Sequence, residues 1–251
     1  MRTSLTLTIT LFLFVISITS CASSNLNFQR DARDTFVKIK QTVKITVCNP
    51  NDPKECLEKD SVSTGSGAVV FRTDEGSYVL TAGHVCTFEK EMLIISVDDN
   101  INTCLLFAHN LYTTKVAKVA SRITTIEEGE RVYNVAAPVG IFYEDVVPLL
   151  EGFYMGQTGM KAYYTVPAMG GSSGSPIFNY ENEIVGMIHS VNVYFPVVSV
   201  SPPLKELRAF IVAGVKKGER VRLNLGENKK ERASEPFWES LGLSPMSTPS
   251  D

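Results

Sequence analysis

From Val37 to about position 200 the chain runs in short stretches of strand-like residues, broken at close intervals by turn chemistry. That pattern leaves room for little but an all-β barrel or sandwich. Val43-Lys44-Ile45-Thr46-Val47 alternates apolar and polar, the period of a half-buried strand. Similar runs occupy 66–72, 77–81, 92–97, 103–108, 115–120, 131–136, 162–166, 184–189 and 193–200. Between them lie Asp74-Glu75-Gly76, Asp98-Asp99-Asn100, Glu127-Glu128-Gly129 and Asn179-Tyr180-Glu181-Asn182, residues that favour turns.

One helical signal stands apart. After Pro203, apolar residues at 204, 207, 210, 211 and 214 have the spacing of a single amphipathic helix with proline near its first turn. From Gly218 the chain turns polar and charged, and 218–251 is expected to be a disordered tail. At the other end, Arg2 precedes an apolar run from Leu5 to Ile18 that is too short for a membrane span and is followed by small residues. Residues 1–22 therefore read as a secretory signal and 23–36 as a polar spacer, which leaves 37–217 as one domain. Ile18-Thr19-Ser20-Cys21 also resembles a bacterial lipobox, which implies lipidation at Cys21, whereas an ordinary signal peptidase would cut after Ala22.

A formal net charge of −3, with acidic and basic residues interspersed, lacks the basic stripe of a nucleic-acid partner. Export permits disulfides among Cys48, Cys56, Cys86 and Cys104, and four cysteines allow three pairings. Cys48 and Cys56 flank the turn-rich Asn49-Pro50-Asn51-Asp52-Pro53, so a hairpin staple is expected there. No two cysteines have metal-ligand spacing, and no metal or cofactor is expected.

The chemistry concentrates in Gly170-Gly171-Ser172-Ser173-Gly174-Ser175-Pro176. Glycines around a serine allow positive φ and close approach of another chain, and such a turn can aim backbone N–H groups at one point. Well upstream, Thr81-Ala82-Gly83-His84-Val85 follows a strand directly, in a chain with only three histidines.

At these residues the chain resembles the trypsin-like (chymotrypsin-fold) serine protease superfamily. Thr81 to His84 is similar to the strand end that presents the catalytic histidine, and Gly171 to Pro176 to the nucleophile loop. Gly65-Ser66-Gly67-Ala68-Val69-Val70 is similar to the strand that precedes the histidine strand. Gly129 to Gly140 resembles the corresponding stretch of Htr-type and glutamyl endopeptidases, and Glu183 to Ile188 the strand beyond the nucleophile. The motifs cover roughly 37–215 in family order. The resemblance implies two six-stranded antiparallel β-barrels with a short C-terminal helix and a site in the cleft between them. It implies a peptide or protein substrate, with Ser173 as nucleophile, His84 as general base, and the N–H groups of Gly171 and Ser173 as oxyanion hole. Ser172 stands where activated zymogens carry an aspartate, which implies a loop that forms without proteolytic activation.

The family's third catalytic group, an aspartate before an apolar strand, has its best match in Asn102-Thr103-Cys104-Leu105-Leu106, with asparagine at the position. Asp98 and Asp99 lie about 13 and 10 Å back along an extended strand and would serve only if the loop folds back. His189, three residues after Gly186, misses by one the position at which glutamyl endopeptidases recognise an acidic side chain; a bulge would restore it to substrate binding. Pro167, six residues before Ser173, gives no support for an Arg or Lys preference. Two other functions stay open: a weak or inactive protease fold acting as an exported binding module, favoured by Asn102, and an esterase using the same Ser–His pair.

Overall fold

A computed structural model describes residues 31–49, 52–86, 92–112, 115–121, 126–143 and 146–225. The expected signal segment with Cys21, most of the expected spacer and 226–251 lie outside these residues.

Two sheets account for the fold, as the alternation of short apolar runs requires. The first contains β1 (Phe36–Asn49), β2 (Asp52–Arg72), β3 (Gly76–Ala82), β4 (Leu93–Asp98) and β5 (Thr103–His109), in the order β1-β2-β3-β5-β4. The second contains β6 (Lys118–Val119), β7 (Arg131–Val135), β8 (Leu149–Thr158), β9 (Lys161–Tyr164), β10 (Pro176–Phe178), β11 (Glu183–Met187), β12 (Ser190–Asn192) and β13 (Phe195–Ser201). Its order is β12-β13-β9-β8-β7-β10-β11-β6. The expected six-and-six division is therefore five and eight among the described residues. Six antiparallel strands make up the body of the second sheet. Two short ones extend it: β12 as an edge hairpin with β13, and β6, a piece of the inter-sheet connection that pairs in parallel with β11.

Between β3 and β5 the register runs from Gly76 opposite His109 to Ala82 opposite Thr103. Both strands are buried almost throughout, with Val79, Leu80, Leu105 and Leu106 fully enclosed. They form a rigid floor whose far end opens at Gly83 and Asn102. The β1–β2 hairpin is far longer than the runs at 43–47 and 66–72 predict: pairing continues to Cys48 opposite Cys56, which are joined as the expected staple.

The C-terminal helix, Leu204–Leu225, packs on β4, β5 and β11 and so bridges the two sheets. It corrects the expected start of the tail, because the helix continues through Gly218 for two more turns. Gly218 is a packing residue and not a stop: a Cβ there would lie 2.5 Å from the Tyr78 hydroxyl. That hydroxyl donates to Glu219 at 2.8 Å, and Arg222 donates to Glu219 at 2.8 Å and to Asp74 at 3.0 Å. Polar residues that resemble a solvated tail are thus the last turns of a docked helix.

Candidate active site

The end of the β3–β5 ladder builds the first half of the site. One residue beyond the last pair, the Gly83 N–H donates to the Asn102 carbonyl at 2.8 Å. The four-residue helix Gly83–Cys86 starts there and leaves His84 exposed, with Val85 and Cys86 turned inward. A Cβ on Gly83 would come within 2.9 Å of Asn102 Oδ1, so glycine is what lets the two turns close on each other. Cys86 and Cys104 form a disulfide that ties the same two turns from behind.

Asn102 has φ 47°, in the left-handed region that asparagine tolerates better than most residues. Its Oδ1 accepts the His84 backbone N–H at 3.0 Å. The same amide faces the imidazole, with Oδ1 at 3.2 Å and Nδ2 at 3.1 Å from His84 Nδ1. The neutral amide at this point matters chemically. If Oδ1 accepts from Nδ1–H, His84 Nε2 is left as a base; if Nδ2 donates to Nδ1, the proton sits on Nε2 and no base remains. Asp98 does not fold back to His84. Its Oδ1 caps its own turn, accepting from Asn100 N at 2.9 Å and Ile101 N at 3.4 Å. Asp99 is exposed and contributes its carbonyl to the Asn102 N–H.

The second half is the turn 170–175. Gly171 and Gly174 have φ 90° and 88°, conformations that side chains resist. A Cβ on Gly174 would overlap Thr81 Oγ1 and the Ser66 carbonyl and approach Ala82 N at 2.8 Å. The backbone next to Ser173 thus lies in van der Waals contact with the strand end that carries His84. Gly65 reinforces the junction, since a Cβ there would meet Val85 at 2.8 Å and the Ser173 carbonyl at 3.4 Å. Motifs far apart in sequence are brought together by close backbone packing.

Four consecutive peptide carbonyls of the turn, Gly170 to Ser173, each have a donor. Gly170 O takes Val139 N at 2.8 Å, Gly171 O takes Ser66 Oγ at 2.7 Å, Ser172 O takes Ser175 N at 3.0 Å, and Ser173 O takes Ser66 N at 2.8 Å. Ser172 closes the turn locally, its N–H on Met169 O at 2.9 Å and its hydroxyl accepting from Met169 N at 3.3 Å. The Gly174 N–H goes to Ile188 O at 2.6 Å. Among the described residues, no acceptor within the chain takes the N–H of Gly171 or of Ser173. Ser173 itself is half-buried.

His189 lies between β11 and β12, beyond Ser173 in the chain. Ile188, just before it, accepts from Gly174 and donates to Ser175 O at 2.9 Å, and the His189 N–H goes to Val200 O at 3.0 Å. Burial, then the charge of His84, then that of Lys161, lower the His189 pKa to about 4, so it is neutral near pH 7.

Two further residues hold the turn in place. Ser66 lies fully buried behind the turn, and Asn134, also fully buried, donates to Ser175 Oγ at 2.8 Å and Pro176 O at 2.6 Å. Asn134 sits in the run 131–136, where nothing distinguishes it from a strand residue. Ser66 lies in the Gly-Ser-Gly stretch already singled out.

No family model matches the chain, and no curated protein matches it at a significant level. Among solved structures it is similar to an HtrA-type protease, "AlgWS227A with decapeptide", at 13% identity and a TM-score of 0.62, covering 77% of this chain and 67% of that one. The two-sheet architecture, the bridging C-terminal helix and this structural match agree: the chain has the trypsin-like serine-protease fold.

Proposed function

We propose that the chain is an exported serine endopeptidase that cleaves peptide bonds through an acyl-enzyme on Ser173. His84 Nε2 takes the Ser173 proton as Oγ attacks the carbonyl carbon, then returns it to the leaving amine. The N–H groups of Gly171 and Ser173 receive the oxyanion, and Asn102 orients the imidazole from its Nδ1 side. His189, held neutral by burial, contacts the bound substrate. The observation that carries this reading is the turn in which the carbonyls of Gly170 to Ser173 are all engaged while those two N–H groups are left for a ligand. The decapeptide in the HtrA-type neighbour supports a peptide as the substrate class. The two disulfides fit an oxidising compartment, and the segment 1–22 supplies the export signal, with Cys21 as the lipidation site if it is processed as a lipoprotein. Hydrolysis of a fluorogenic peptide mixture by the mature protein tests the proposal. Cleavage by the wild type that Ser173→Ala abolishes supports it, and equal cleavage by both contradicts it.

Asn102 favours one second reading, a weak or inactive protease fold that binds peptides without cutting them. A protein that retains peptides intact and shows no Ser173-dependent turnover would establish it.

A further inference from the structure

Ser66 lies outside the catalytic groups named above, yet all its polar capacity is spent around them. Its N–H donates to Ser173 O at 2.8 Å, and its hydroxyl donates to Gly171 O at 2.7 Å. The same hydroxyl accepts from Ala137 N at 3.0 Å, and its carbonyl accepts from Thr81 Oγ1 at 2.7 Å, three residues before His84. The residue has no exposed surface, so none of these bonds has water as a ready substitute. Glycine on either side keeps the space clear: a Cβ on Gly65 would strike Val85, and one on Gly67 would lie 2.8 Å from Leu80 O.

The consequence follows from peptide planarity. Holding the Gly171 and Ser173 carbonyls fixes the planes 171–172 and 173–174 on the side of Ser66. Val139 and Ser175 hold the two planes between and before them. The Gly171 and Ser173 N–H groups belong to the planes 170–171 and 172–173, so the Gly171–Ser172 plane held by the Ser66 hydroxyl is the link that sets one of them against the other. The Gly171–Ser172 plane is the vulnerable one, because its carbonyl is held by a side chain while the other three are held by backbone.

We propose that Ser66 is a positioning residue for the oxyanion turn, its hydroxyl fixing the Gly171–Ser172 peptide that links the two planes bearing the Gly171 and Ser173 N–H groups, so that these N–H groups stay convergent. This rests on the reading of Ser173 as nucleophile. Ser66→Ala keeps the backbone bonds and removes only the hydroxyl, so it should lower kcat for peptide hydrolysis about 10- to 100-fold with KM changed little, as expected for partial loss of an oxyanion donor. Affinity for a peptidyl trifluoromethyl ketone, which forms an oxyanion when Ser173 adds to it, should fall by a similar factor. Affinity for the matching unreactive peptide should stay the same, which a general loss of structure would not allow. Ser66→Thr restores a hydroxyl and should recover most of the loss. Should Ser66→Ala fail to fold, Ser66→Cys, of similar volume but a weak donor, carries the same comparison. Equal kcat in wild type and Ser66→Ala, or equal loss of affinity for both ligands, overturns the proposal. A wild type that neither hydrolyses peptides nor adds to the ketone counts against the protease reading instead. The crystal structure of Ser66→Ala then decides the present one: a rotated Gly171–Ser172 peptide supports it, and an unchanged turn overturns it.

Discussion

Asn102 holds His84 from two sides of one residue, its Oδ1 taking the backbone N–H at 3.0 Å and its amide lying 3.1–3.2 Å from ring Nδ1. The backbone bond anchors Oδ1 but leaves it to be shared with the ring, and a neutral amide offers the ring a donor as readily as an acceptor.

A carboxylate in place of the amide has no donor to offer, so it enforces the tautomer in which Nε2 is the base and also stabilises the imidazolium. Replacing the triad carboxylate by its amide costs about 10⁴-fold in turnover, roughly 5.5 kcal/mol of barrier. Asn102→Asp should therefore raise kcat substantially, up to that order. Asp98→Ala should change kcat little, because the Asp98 carboxylate caps residues 100 and 101, and Asp99→Ala likewise. Steady-state kinetics of the three variants check this, and an Asp98→Ala enzyme without activity would place the third catalytic group elsewhere.

The two disulfides should separate stability from activity. Chain-entropy estimates give about 3 kcal/mol for the pair Cys86–Cys104, which spans 18 residues, and somewhat less for Cys48–Cys56, which spans 8. Only the first joins the turns of His84 and Asn102. Replacing Cys86 and Cys104 by alanine should lower kcat well beyond what Cys48→Ala with Cys56→Ala does, at comparable losses in Tm. Equal kinetic effects would show that the staple behind His84 does not position it.

How much of this was legible in the sequence differs from element to element. The order of the motifs, the all-β class and the hairpin staple follow from local chemistry that each stretch displays by itself. β8 does not, because its alternation is inverted: Gly152, Tyr154 and Gly156 point inward while Phe153 and Met155 are about half exposed. Gly152 is there because the Thr165 backbone passes where a Cβ would be. β10 is three buried residues beginning with a proline, too short to show a period. The outer arm of β2 is solvent-exposed on both faces, so polar residues fill it and no stripe forms. Asn102 was identifiable as a position, but the choice between it and Asp98 depended on how three turn residues cap one another. That is a tertiary outcome with no pattern in the spacing. Ser66 carried a motif whose purpose shows only in its tertiary partners, among them Ala137 and Gly171, 71 and 105 residues away.

His189 predicts a pH dependence of stability. Its folded-state pKa, about 4, lies below the ordinary 6.5, mainly through burial, so the unfolded chain binds the proton more readily. The sign follows: no penalty above pH 6.5, and a growing loss of stability as pH falls from there toward 4. Between pH 7 and pH 5 the loss should be about 1 kcal/mol once the partial exposure of the ring is discounted. Urea unfolding at the two pH values should show that loss in the wild type and a flatter dependence in His189→Gln. The same slope in both would assign the effect to other groups.

The claim at the centre of this account is that Ser173 is a nucleophile activated by His84. Labelling with a fluorophosphonate probe, followed by mass spectrometry of the modified peptide, reads it most directly, because the reaction needs the activated hydroxyl and no knowledge of the natural substrate. The wild type should carry a single adduct on Ser173, with none in Ser173→Ala and none within the same time in His84→Ala. Equal labelling of all three proteins, or an adduct elsewhere, would contradict it.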